Sequence, residues 1–350
     1  MPRHALSEFE ALSYPILDVR APIEFAQGHV PGALNLPLFT DEERARIGTT
    51  YKQVSQDRAV HLGLEFFGPK MSQLIKLAQR LAGGKEVRLH CWRGGMRSGA
   101  VLWLLELAGF KVHLLDHGYK DYRRAVLASF AQPRPWRVLG GLTGSGKTDV
   151  LHQLAAMHGQ HVLDLEGLAH HKGSAFGSIG QPAQPTQEQF ENNLAAALAL
   201  LPANAPIWVE DESRQIGRLT IPPALFAQLQ AAPRFVLEVP RAARVAKLAA
   251  EYGAEDPLLL AEAIGRLQKR LGGLATKQAL AAVAAGDFPL MVELVLDYYD
   301  KTYTYGLAPR PDEPPRTLIP VPGSEAAANA AALLDAATAP TAAAAAAARR

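Results

Sequence analysis

Apolar residues recur at Val101, Leu104, Leu105 and Ala108, a three- and four-residue spacing that predicts an amphipathic helix over Ser98 to Gly109. The same period puts Phe190, Leu194, Leu198 and Leu201 on one face of a helix over Glu188 to Leu201. Met71 to Ala82 also has a helical pattern. Between these lie short strand-like runs at Tyr14 to Val19, Ala33 to Leu36, Glu86 to Leu89 and Lys111 to Leu115. Strands alternating with helices predict a mostly parallel sheet with helices on its faces. Two prolines in Ala131-Gln132-Pro133-Arg134-Pro135 break any helix and mark a linker. A second α/β series follows, with strands at Val138-Leu139, His161 to Leu165, Ile207 to Val209 and Phe235 to Val239. Residues 173–186 read as a long loop. From about Leu258 the pattern is helical, interrupted at Gly272-Gly273. The expected organisation is therefore one domain over residues 1–132, a second over 136–313, and an alanine-dominated tail over 324–350. That tail has too little apolar bulk for a core and is expected to be a frayed helix or disordered.

Composition narrows the classes. A chain of 350 residues with 48% hydrophobic and 20% charged residues has the make-up of a soluble globular protein with room for two cores. No apolar run reaches the length of a membrane span, and the N-terminus has no apolar signal core, so a cytoplasmic location is expected. A single cysteine excludes an intrachain disulfide and argues against a thiolate-bound zinc. The net charge of +2 neither demands nor forbids a nucleic-acid partner.

The single cysteine, Cys91, lies in His90-Cys91-Trp92-Arg93-Gly94-Gly95-Met96-Arg97-Ser98, between a strand and a helix. Such a loop turns backbone N–H groups and the positive end of a helix toward whatever binds there. Arg93 and Arg97 add two cations. All of these favour thiolate, the nucleophilic form. A cysteine that only packs needs neither the arginines nor the glycines.

Residues 141–148, Gly-Leu-Thr-Gly-Ser-Gly-Lys-Thr, form a P-loop between a strand and a helix with Val150, Leu151, Leu154 and Ala155 on one face. Gly141, Gly144, Ser145 and Gly146 would present N–H groups to phosphate oxygens, Lys147 a charge, and Thr148 a hydroxyl for Mg²⁺. Glu210 and Asp211 end an apolar strand and could reach that ion through water. Asp164 and Glu166 are weaker candidates of the same kind. Two basic clusters, Arg241, Arg244 and Lys247, then Arg266, Lys269 and Arg270, are candidate RNA contacts or solvated helix faces. Tyr298, Tyr299, Tyr303 and Tyr305 could stack on splayed bases or pack a core. Adjacent His170 and His171 cannot share one helix face, so no metal site is expected there.

Asp18-Val19-Arg20, Glu24-Phe25, Gly28-His29-Val30-Pro31-Gly32-Ala33 and Asn35-Leu36-Pro37 resemble the rhodanese (sulfurtransferase) domain, with Cys91 at the position of its persulfide-forming cysteine. The loop from Cys91 through Arg97 has seven residues. That size resembles the phosphatase relatives of the family and suits a tetrahedral oxyanion. Gly48-Thr49-Thr50-Tyr51-Lys52-Gln53, the P-loop, Asp164 to Ala169, Gly173 to Gly177, Glu210 to Arg214 with Ile216-Gly217, and Tyr298-Tyr299-Asp300 complete a series that resembles the bacterial tRNA 2-selenouridine synthases over residues ~10 to ~308.

The resemblance implies an α/β protein, with a rhodanese-like parallel-sheet domain followed by a P-loop NTPase-like domain that ends in helices. It also implies replacement of the sulfur of wobble 2-thiouridine in tRNA by selenium, with selenophosphate as donor and S-geranylation from geranyl diphosphate as an intermediate step. Cys91 would be the nucleophile, carrying selenium as a selenylsulfide, and Arg93 and Arg97 would hold the donor's oxygens. No tightly bound cofactor is expected beyond possible Mg²⁺, and the partners would be tRNA and a selenophosphate supplier, with the protein a monomer. A cysteine phosphatase, a plain sulfurtransferase, or a P-loop nucleotide switch with an accessory rhodanese module are the rival readings. Whether the P-loop takes ATP, geranyl diphosphate or both stays open.

Overall fold

The computed structural model of the protein describes residues 3–306 and 316–338. Tyr303, Tyr305 and residues 339–350 of the tail lie outside the described side chains. The chain forms two units, one of Met1–Phe130 with Thr186–Ala196, the other of Ala131–Pro185 with Ala197–Arg350.

The first unit is built on a five-stranded sheet of β1 (Arg3–His4), β2 (Ile16–Asp18), β3 (Leu34–Asn35), β4 (Glu86–His90) and β5 (Lys111–Leu115). Its order is β1-β5-β4-β2-β3 and every pairing is parallel. β4 is central and buried at Val87 and Leu89, so the loop that follows it starts from a fixed point. Helix Met96–Leu107 buries Val101, Leu102, Leu104 and Leu105. Helix Met71–Ala82 spans the residues its pattern predicts and buries Leu74 and Ala78. Helices Asp41–Gln53 and Gln56–Phe67 precede it; the first is capped by the Thr40 hydroxyl and Glu43.

Thr186–Ala196 belongs to this first unit, although a contiguous first domain would end before it. The stretch forms most of helix Gln187–Ala199. Asn192, fully buried, donates to the Tyr119 hydroxyl at 2.8 Å and to the His29 carbonyl at 2.9 Å. Tyr119 in turn donates to Glu188 at 2.8 Å. These polar bonds and the buried Phe190 and Leu194 hold the segment in the unit.

The second unit has a parallel sheet of β6 (Trp136–Gly141), β7 (His161–Leu163), β8 (Ile207–Glu210), β11 (Arg234–Glu238) and β12 (Arg316–Pro320), in the order β12-β11-β6-β8-β7. A small antiparallel pair, β9 (Gln215–Ile216) and β10 (Leu219–Thr220), stands apart. The order reverses at β6, the topological switch point where open α/β sheets bind ligands at their carboxyl ends. Helices Arg241–Tyr252, Pro257–Arg266, Gly273–Ala285 and Phe288–Gly306 enclose a second core that includes Leu260, Ile264, Val283 and Met291.

The tail corrects the sequence expectation. Ala326–Thr338 is a regular helix, and Ala330 and Leu333 are buried with Leu154, Phe235, Leu237 and Ile319. Alanine lets a helix approach a sheet closely, so little bulk is needed to join the core. With β12 pairing β11 over its full length, the second unit runs well past residue 313.

Candidate functional site

Cys91 follows β4, where its carbonyl accepts from Tyr119 N at 2.8 Å and the Trp92 carbonyl accepts from Lys120 N at 2.9 Å. These bonds tie the loop to the turn after β5. Gly94 and Gly118 both adopt positive φ, 66° and 63°. A Cβ on Gly118 would lie 2.5 Å from the Cys91 carbonyl oxygen and 2.6 Å from Gly94 N, so only glycine permits this approach. The thiol is 3% exposed, with its Sγ 3.2 Å from the Ser98 hydroxyl. Burial alone would raise its pKa. The Ser98 hydroxyl, the Arg93 N–H, the Arg97 charge and the Ser98 N–H outweigh burial, and the thiol titrates below its ordinary value.

The two arginines differ. Arg97 donates to Glu24 at 2.7 Å, so the guanidinium expected to face an oxyanion already has a carboxylate partner. Glu24 also receives Arg44 at 3.4 Å and the Ala21 N–H. Arg93 is exposed. Both arginines line a cavity of about 430 Å³ with Cys91, Trp92, Gly48, Tyr51 and Lys52. Gly48, Tyr51 and Lys52 of the motif Gly48 to Gln53 thus line the same cavity as the cysteine, a placement that its local pattern could not give. His90, buried, sits 3.8 Å from Asp18, and burial lowers its pKa against the opposing pull of Asp18. The adjacent pair of Arg20 and Asp18, 2.6 Å apart and buried, has Arg20 stacked 3.8 Å over the Tyr119 ring. It braces the floor beneath the loop.

In the second unit the P-loop follows β6. Gly144 and Gly146 have φ of 80° and 75°, and a Cβ on Gly144 would meet Leu248 at 2.7 Å. Lys147 donates to the Gly141 carbonyl at 3.0 Å. The Ser145 hydroxyl is buried and has no protein partner. Thr148 donates to Glu166 at 2.9 Å.

The carboxylates sort differently from the sequence expectation. Asp211 lies 3.4 Å from the buried Arg234, an ion pair its sequence position does not show. Glu210 is 1% exposed, accepts from Leu165 N at 3.3 Å, and leaves one oxygen without a partner. Burial, then Asp164 and Glu166, push its pKa well above the usual carboxylate range. Glu212 is pushed up to about 8 by burial and by Glu166. The carboxylate that meets the P-loop hydroxyl is therefore Glu166, which is 18 residues from Thr148 in sequence.

Among the described residues no group of three or more His, Cys, Asp or Glu side chains converges as a metal cage. Mg²⁺ at a P-loop needs only a hydroxyl, one or two carboxylates and its own waters, a set that Thr148 and Glu166 fit.

The basic clusters also divide. Arg244 is 3% exposed, forks onto Asp300 at 2.8 and 2.9 Å, and donates to the Thr143 carbonyl at 3.1 Å. It braces the P-loop and is not an RNA contact. Arg241 pairs with Asp297 and Asp300, and Lys247 with Asp149 and Glu251. Arg266, Lys269 and Arg270 are exposed, Arg270 reaching the Tyr298 hydroxyl at 3.2 Å. The Tyr299 hydroxyl accepts from Ala175 N at 2.9 Å and its ring packs on the helical core, so it fixes the 173–177 turn.

Each unit thus carries a strand, a glycine-bearing anion loop and a helix, one armed with a thiol and the other with a lysine: a rhodanese-type domain in one chain with a P-loop domain. Residues 2–125 match the family model of the rhodanese-like domain, and residues 134–315 match that of the tRNA 2-selenouridine synthase AAA domain. A protein of Marinobacter nauticus called tRNA 2-selenouridine synthase is 38% identical, over 85% of this chain and 90% of its own. Proteins of the same name from Shewanella sediminis and Aeromonas salmonicida are 36% and 37% identical, covering 88% and 84% of this chain and 91% and 87% of theirs. The chain belongs to the tRNA 2-selenouridine synthase family. Among the described residues no helix is long and apolar enough to cross a membrane.

Proposed function

We propose that this protein is a transferase that replaces the C2 sulfur of wobble 2-thiouridine in tRNA with selenium. The observation that carries the reading is the lone cysteine with its lowered pKa, which receives the Arg93 and Ser98 N–H groups, in a member of this family. Cys91 is the nucleophile. The loop N–H groups and Arg93 receive the oxygens of selenophosphate, and Arg97, held by Glu24, keeps the site positive. Geranyl diphosphate is the co-substrate that alkylates the thiouridine sulfur and makes it a better leaving group. Its diphosphate is taken by the N–H groups of Gly144 to Gly146 and by Lys147, with Mg²⁺ held through Thr148 and Glu166. Arg266, Lys269 and Arg270 are the basic residues left for RNA phosphates. The same reading makes the protein a cytoplasmic monomer supplied with selenophosphate by another enzyme.

A cysteine phosphatase reading is disfavoured by the cavity itself. Among the described residues the carboxylate beside the cavity is Glu24, which is already held by Arg97 and Arg44 and so is poorly placed to act as a general acid. The test is mass spectrometry of wobble nucleosides from cells lacking the protein. Loss of 2-selenouridine with 2-thiouridine retained is expected, and unchanged 2-selenouridine would sink the reading.

A further inference from the structure

Beside the Cys91 cavity lies a second, smaller chamber of about 150 Å³. Its walls are Leu38, Phe39, Ala59, Val60, Leu64 and Phe67, with Ala100 at its base. It shares Phe39, Ile47, Tyr51, Met96 and Arg97 with the Cys91 cavity, so the two are chambers of one site. Helices Asp41–Gln53 and Gln56–Phe67 supply most of the apolar wall, and the first turn of Met96–Leu107 closes it.

The rim is unusual for a surface. Tyr51, Leu64 and Met96 are 53%, 55% and 63% exposed. A cluster of large exposed apolar side chains around a cavity mouth marks a binding site, where scattered ones would not. The other chamber has the opposite character, with Arg44, Lys52, Arg93 and Arg97 around the thiol. Lys52 and Arg93 are exposed there. The pair of chambers is complementary to a molecule that is polar or anionic at one end and hydrocarbon at the other. An apolar void of about 150 Å³ is large enough to bind a benzene-sized hydrocarbon. One isoprenoid unit or a comparable stretch of alkyl chain fills it, with the remainder of a longer chain lying along the shared rim.

We propose that the apolar chamber beside Cys91 is a hydrocarbon subsite, which holds the alkyl chain of an S-alkylated nucleoside while its sulfur-bearing carbon faces the thiolate. The inference rests on the reading that the reaction passes through an alkylated thiouridine. It adds where that chain goes: into the unit that carries the cysteine, whatever holds the diphosphate. The chamber then acts as a selector, because an unalkylated thiouridine leaves its apolar wall wet.

Because Cys91 is the sole cysteine, iodoacetamide labelling reports on this site alone. The test measures protection of Cys91 in the full-length protein by geraniol, an uncharged probe with no affinity for a phosphate cradle. Wild type should be protected in a saturable way. Val60→Trp fills the chamber and should raise the half-protecting concentration tenfold or more. Leu64→Ser sits at the exposed rim, where folding is not at stake, and should raise it about threefold. No protection in wild type, or unchanged protection in both variants, overturns the proposal. So does labelling without geraniol that slows as protein concentration rises, since a second copy would then cover the chamber. The assay contains no tRNA or selenium, so its failure leaves the nucleoside-replacement reading standing. Conversely, unchanged 2-selenouridine in cells lacking the protein would remove that reading while geraniol protection persisted.

Discussion

The Cys91 loop and the P-loop solve one problem with different surroundings. Each leaves the carboxyl end of an interior strand, turns on glycines at positive φ, and enters a helix at its positive end. Around Cys91 the cavity is lined by cations and apolar side chains, and the one carboxylate described beside it, Glu24, is paired with Arg97 and Arg44. Around the P-loop the neighbours are carboxylates, Glu166, Glu210 and Glu212, two of which are pushed toward neutrality. The first setting stabilises a negative nucleophile. The second repels anions until a cation or proton intervenes. Loop geometry therefore defines an anion site, and the charges behind the loop decide what chemistry follows.

The largest break in this comparison is Cys91→Ser. It should abolish selenium incorporation into tRNA while calorimetry finds geranyl diphosphate binding unchanged, since no P-loop group is touched. Lys147→Ala should do the reverse. It should weaken diphosphate binding by roughly 1–3 kcal/mol, the scale of a lost charge-assisted contact, and leave the iodoacetamide rate of Cys91 as it was.

A finer test concerns the thiolate's support. Ser98→Ala removes the hydroxyl 3.2 Å from Sγ, and the pH midpoint of Cys91 alkylation should move upward. An unmoved midpoint would shift the credit to the loop N–H groups.

Glu212 sharpens the other side. Its pKa in the folded protein is about 8 against an ordinary value of 4.5. The unfolded chain therefore loses this proton first, and stability falls as pH rises from about 4.5 to about 8. Glu212→Gln should flatten that fall in thermal-unfolding midpoints across the same window. The smallest effect is expected of Lys269→Ala. It should lower the log–log salt slope of tRNA binding by about one unit and weaken all tRNAs alike.

How much of this was legible in the sequence follows from distance along the chain. Helix Met71–Ala82 and strand Lys111–Leu115 are readable because periodicity is a local property. Both anion loops are readable because their chemistry sits in consecutive residues. The pairing of Thr148 with Glu166 and of Asp211 with Arg234 depends on which strands lie side by side, which no spacing encodes. Arg244 looks like one member of a basic helix face until Asp300, 56 residues away, claims it. The tail helix misleads because bulk is a poor guide to burial for alanine, which packs by proximity and not by size.

The discontinuous first unit has a consequence for how the protein is made. Tyr119, whose N–H anchors the Cys91 carbonyl, is itself held by Glu188 and Asn192. During synthesis those residues leave the ribosome only after the linker and the entire P-loop have emerged. The cysteine's floor is therefore finished late, and the amino-terminal half is not a cassette that could be cut at the proline linker and moved to another protein with its site intact.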